Sequence, residues 1–187
     1  ALVDAVAAAG PRAVAIDIVL SGPDRHSAAG LTRMLDGVAP PGALAALAAL
    51  PDGDAVLAAA LAGRPVVLAA ALAAPGDALP APPPILISGA APRLRPWQAP
   101  GAEGPLAALA AVATVAPGPL AGEQGGVVRR APLLLDLGGV ARPGLAVEVL
   151  RLAEGAGALR VADGALSVGG VSVALPRDAA LRIAPTD

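Results

Sequence analysis

The chain has 187 residues, of which 56% are hydrophobic and 15% charged, and its formal net charge is −2. That is long enough for one domain with a real core and too apolar for a disordered segment. It also lacks the basic block that a nucleic-acid partner would call for. Cysteine is absent, which excludes disulfides, thiolate metal sites and a thiol nucleophile. His26 is the single histidine, so multi-histidine metal sites are excluded too, and no cofactor is implied. With Trp97 as the only aromatic residue, the core must be built from Ala, Leu, Val and Ile, whose small size demands close packing.

In chain order, Leu2, Val3 and Val6 mark one side of a short helix that Gly10-Pro11 ends. Arg12 to Leu20 reads as a strand, followed by a polar loop from Ser21 to His26 and a short helix around Leu31 to Leu35. Helices are expected over Ala43–Leu50 and Ala55–Ala62, with Pro51-Asp52-Gly53-Asp54 between them, Asp54 as N-terminal cap and Gly63 as stop. Pro65 to Leu72 is a strand-like run, so helix, turn and strand together form the crossover of a parallel sheet. A Pro-rich loop to Pro84, a short strand Ile85–Ser88, an irregular segment carrying Trp97 and a helix Pro105–Val112 follow. Trp97 is expected to be buried, as large apolar rings usually are.

The last third changes character. Val127–Leu137 reads as a strand closed by Gly138-Gly139, and Gly144–Glu154 as a helix. Short strands then alternate with Asp163-Gly164 and Gly169-Gly170, both strong hairpin signals, and Leu181-Arg182-Ile183 forms a last strand. The fold class is therefore α/β (α+β): a single domain over 1–187, with a mixed sheet flanked by helices and a C-terminal antiparallel hairpin region. No segment reads as a membrane span; Leu106–Leu120 is uncharged but Ala-rich and broken by prolines. The start inside a helix, without an initiator Met, is expected of a piece of a longer protein.

Asp17 interrupts the apolar strand Ala13-Val14-Ala15-Ile16-Asp17-Ile18-Val19-Leu20. A carboxylate in an interior strand must be paired, hydrogen-bonded, at a strand end or protonated. Arg129 and Arg130 are its candidate partners, and since adjacent strand residues face opposite ways, only one of them can point into the core. On that pairing, Asp17→Ala costs about 3 kcal/mol or more. The same two arginines are candidate ligands for an anion.

Catalytic constellations fail one by one. Gly122-Glu123-Gln124-Gly125-Gly126 leads into a strand and has no lysine, so it is neither a P-loop nor a dinucleotide fingerprint. None of Ser21, Ser27, Ser88, Ser167 and Ser172 sits in a Gly-x-Ser-x-Gly elbow. His26 beside Asp24 has the makings of a base and its orienter, but a solvated polar loop accounts for both. Asp52 and Asp54 supply two carboxylates without a spaced acidic loop, and a capped turn explains them without a metal.

The ordered set "RAVAIDIVLSGPD", "GDAVLAAALAGRPVVLA", "GGVVRRAPLLLDLGG", "RPGLAVEVLRLA" and "GGVSVALPRDAALRI" covers nearly the whole chain. It resembles the second type of CHASE domain, the extracellular sensing domains associated with bacterial cyclases and histidine kinases. The resemblance implies a periplasmic input module without enzymatic activity of its own. It further implies flanking membrane helices outside this chain, an adenylate/guanylate cyclase or histidine kinase output, and a small-molecule or periplasmic protein stimulus. Receptor architecture adds the expectation of a homodimer. Asp17 and Asp54 are then structural residues. The alternative is a structural or protein-interaction domain with no small-molecule ligand.

Overall fold

The structure is a computed structural model in which residues 2–76, 78–89, 93–118 and 127–183 are described. Helix α1 (Leu2–Ala8) runs into β1 (Val14–Ile16). Helices α2 (Ala28–Leu35), α3 (Pro41–Ala48) and α4 (Gly53–Leu61) precede β2 (Val66–Ala73). β2 is the hub of the front half. β1 and β6 (Thr114–Pro117) both pair in parallel with Val67 and Leu68, so they flank β2 on opposite sides. β5 (Gly101–Glu103) pairs antiparallel with the last three residues of β2. Five successive buried residues of β2, Val66 to Ala70, give the continuous apolar run that a strand covered on both faces requires.

One face of this sheet packs on α4 and on the short α5 (Ala107–Ala110), around Leu61, Val66, Leu68 and Leu109. The other carries α6 (Leu145–Ala153), which lies on β2 and β6. Alternation along β1 follows from this arrangement: Val14 and Ile16 join the α4-side cluster, while Ala15 points the other way.

The back half is held by β3 (Ile85–Ile87), β10 (Leu159–Ala162), β11 (Ala165–Val168) and β12 (Val171–Ala174), in the order β12-β11-β10-β3. The expected hairpins are present. Asp163 and Gly164 both have positive φ (49° and 75°), and Ala162 faces Ala165 across that two-residue turn. β7 (Arg130–Pro132) pairs with β13 (Ala180–Arg182). β8 (Leu134–Leu137) lies between β4 (Trp97–Ala99) and β9 (Val140–Pro143). A cluster of Leu133, Leu134, Val147, Leu159, Val161, Leu166 and Val168 forms the larger core.

The mixed α/β class is as expected, but the strands are divided among several sheets. The run Val127–Leu137 holds two strands in different sheets, β7 paired with β13 and β8 with β4 and β9, with Leu133 between them. β9 was not anticipated, since its Arg142 is charged yet buried. The Arg142 guanidinium donates to the carbonyls of Pro80 (2.6 Å) and Leu79 (3.0 Å), and burial lowers its pKa from the ordinary arginine value. Trp97 is half-buried on β4 rather than enclosed.

Contrary to the expectation of no candidate span, Pro41–Leu61 is long and apolar enough, by length and composition, to cross a membrane. Here it is two helices of 8 and 9 residues separated by Ala49-Leu50-Pro51-Asp52. At 1.5 Å per residue, neither reaches across a hydrocarbon core of about 30 Å.

Candidate functional site

The parallel strands β1, β2 and β6 end on the same side, and open α/β sheets bind ligands in the crevice outside those carboxyl ends. Asp17 is the first residue after β1, and Gly118 the first after β6. A cleft of about 450 Å³ opens between them, lined by Asp17, Gly118, Ala131, Leu145, Ala146 and Val149 among others. Its walls are apolar apart from the one carboxylate. Gly118 sits under a tight ceiling: a Cβ there would lie 3.2 Å from Leu145 Cδ2 and 3.3 Å from Asp17 Oδ1. On the outer side of β1, Asp17 also borders a second apolar cleft of about 550 Å³, between β1 and α1.

Asp17 is thus not the buried lock that the sequence suggested. The strand stops at Ile16, and Asp17 is exposed, with no hydrogen bond or ion pair among the described residues. A solvated carboxylate needs no counter-charge, so the strand-end alternative applies. Neither arginine is its partner. Arg130 Nη1 donates to Asp178 Oδ2 at 3.1 Å, tying β7 to the turn before β13. Arg129 is exposed, and its carbonyl accepts from Ile183 N–H at 2.8 Å. The large loss expected for Asp17→Ala therefore gives way to a surface-type effect, within about 0.5 kcal/mol.

The other polar candidates resolve into local structure. The cap of α4 is Asp52, which accepts from the N–H groups of Asp54 (2.9 Å) and Ala55 (3.0 Å). The helix begins at Gly53, two residues earlier than expected, so Asp54 falls in its first turn and accepts from Asp24 N–H at 3.1 Å. The His26 side chain is 87% exposed, with Nδ1 3.9 Å from Asp24 Oδ1, which leaves it outside any enclosed site. Ser21 Oγ bonds Glu103 Oε1. No group of three His, Cys, Asp or Glu that could hold a metal occurs among the described residues. The Gly122–Gly126 segment lies outside them.

Sequence reasoning missed the buried ion pair on α6. Arg151 donates to both oxygens of Glu148 (Nε at 3.0 Å to each, Nη2 to Oε1 at 2.6 Å), and its Nη1 reaches the Ala156 carbonyl at 2.7 Å. The Glu148 side chain is 1% exposed. The i, i+3 spacing of an acid and a base was the available signal.

The described residues form a mixed α/β fold with an apolar cleft at the ends of its parallel strands. The family model of the CHASE2 domain matches residues 1–184, nearly the whole chain, and the chain belongs to that family. CHASE2 domains are sensory domains of membrane receptors, not catalytic ones, and this chain is accordingly a sensory domain. No curated protein and no solved structure matches it.

Proposed function

We propose that this domain is the periplasmic input module of a bacterial transmembrane receptor whose output is a nucleotide cyclase or a histidine kinase. The observation that carries the reading is family membership over residues 1–184. The cleft beside Asp17 supports it by supplying a place where a small, mostly apolar stimulus molecule can act. Signalling then requires that the stimulus bind one conformation of the domain better than another.

The placement is testable because the chain contains no cysteine. His26→Cys introduces one thiol on an exposed loop. In the full-length protein, freed of any other cysteine, a membrane-impermeant maleimide should label it in intact cells. Labelling only after lysis sinks the periplasmic reading. For the cleft, thermal-shift screening of small metabolites should find a compound that raises the melting temperature of the wild type. Ala146→Leu, which fills the cleft from the exposed side of α6, should abolish that shift. A shift that survives the filled cleft places the ligand elsewhere.

A further inference from the structure

The cleft at the strand ends is built to select by charge. Asp17 is the only ionisable residue that lines it; the rest of the wall is Ala, Gly, Pro, Leu and Val. One carboxylate oxygen lies against that wall. A Cβ on Gly118 would stand 3.3 Å from Asp17 Oδ1 and 3.2 Å from Leu145 Cδ2, so a side chain at 118 would crowd the oxygen that glycine leaves clear. No cation of the protein answers this carboxylate among the described residues. Arg130, on the strand that borders the cleft at Ala131 and Pro132, is bonded to Asp178 at 3.1 Å. Arg64, which lines the outer cleft of about 550 Å³, is bonded to Asp4 at 2.8 Å.

We propose that the cleft takes a small primary amine with an aliphatic body, its ammonium on Asp17 and its body against Leu145, Ala146 and Val149. The proposal rests on the reading of this cleft as the stimulus site, and it fixes the charge and head group of the stimulus. An ammonium supplies the missing counter-charge and donates charge-assisted hydrogen bonds to the carboxylate, which are stronger than neutral ones. An anion would meet a like charge and lose its hydration against apolar walls. A neutral guest fills the walls but gains nothing from the charge. The head group must also carry N–H, because an ionised carboxylate only accepts. A quaternary ammonium has none to give, and aromatic faces are what bind such cations. Trp97, the single aromatic residue, lies on β4 and does not line the cleft. The outer cleft is the poorer host for a cation, since Arg64 lines it together with Asp17. The sign of the ligand is thus opposite to the anion expected for Arg129 or Arg130.

The test is a heteronuclear NMR titration of the 187-residue chain at pH 7 with four probes of one shape: cyclohexylamine, cyclohexanol, cyclohexanecarboxylate and cyclohexyltrimethylammonium. Cyclohexylamine should bind, moving the amide signals of Gly118 and Ala146, at least about fivefold more tightly than the alcohol or the quaternary salt. The carboxylate should not bind. Asp17→Asn keeps the shape and removes the charge, and should bring the amine down to the level of the alcohol. Ala146→Leu should abolish the binding of both. Equal affinity for amine and alcohol, amine binding that Asp17→Asn leaves unchanged, or no binding of the amine overturns the proposal. Amine binding that needs Asp17 but survives Ala146→Leu overturns the placement, since it puts the amine in the outer cleft. Failure here is separable from failure of the stimulus site. A neutral or anionic metabolite whose thermal shift is lost in Ala146→Leu keeps the site and discards the amine. Should Ala146→Leu lose its fold, the probe series on the wild type and Asp17→Asn decides by itself.

Discussion

The two halves of this molecule bury themselves differently. In the front half, α1, α2 and α3 contain no buried residue at all, and Met34, Val38, Leu50 and Val56 are more than half exposed. Its core is little more than β2 and what touches it. The back half surrounds Leu159, Leu166 and Val161 on all sides and encloses an ion pair on α6. Dispersion and burial scale with the atoms enclosed, so the back half is the stiffer body, and the front helices are held by few contacts. In a sensory domain this division is useful: the cleft lies where the loosely packed sheet edge meets the helix of the firm half.

The sharpest way to break that comparison is at Glu148. Arg151→Ala leaves this carboxylate buried and uncompensated, and should cost about 3–5 kcal/mol in urea unfolding. A loss below about 1 kcal/mol would show that water reaches α6 and that the back half is not firm. Next, Leu159→Ala should cost about 2–5 kcal/mol by the cavity it leaves, whereas Met34→Ala, 67% exposed on α2, should stay within about 0.5 kcal/mol. Comparable losses at the two sites would erase the distinction between the halves.

A smaller effect tests the edge of α4. Asp52→Ala should cost about 1 kcal/mol through the lost cap, and Asp54→Ala less. The reverse order would return the cap to Asp54. The smallest effect is one of pH. Glu154 accepts from Gly170 N–H (3.2 Å) and from Arg12 (2.9 Å), and these bonds, the Gly170 one first, lower its pKa below the ordinary 4.5. A depressed folded-state pKa means that this stabilisation is present above about pH 4.5 and is lost as pH falls through the folded value. Glu154→Gln should flatten that part of the stability profile below pH 4.5, and an unchanged acid limb would refute the assignment.

Much of the fold was legible because its signals were local. Asp163-Gly164 and Gly169-Gly170 announce turns by backbone chemistry alone, and the run Val66 to Leu68 reads as a covered strand wherever it is placed. Asp17 was read as interior because the apolar run continues to Leu20. Only the pairing with β2, which ends at the Ile16–Leu68 rung, shows that the strand stops short. Arg142 was invisible for the opposite reason. A charge in a strand argues for exposure, and nothing near it in sequence shows that the carbonyls of Leu79 and Pro80, some sixty residues away, would take its protons. The candidate cleft is likewise assembled from four separate stretches, so its identity is a tertiary fact.

That arginine has a mechanical meaning. The chain passes from β2 to β3, from the looser half to the firmer one, through the Pro-rich segment after Ala73, and the Arg142 guanidinium clips this strap to β9 at the carbonyls of Leu79 and Pro80. A strap fixed near its middle moves as two short spans rather than one long one. The contact ties the segment between β2 and β3 to β9, the strand whose end at Pro143 leads through Gly144 into α6.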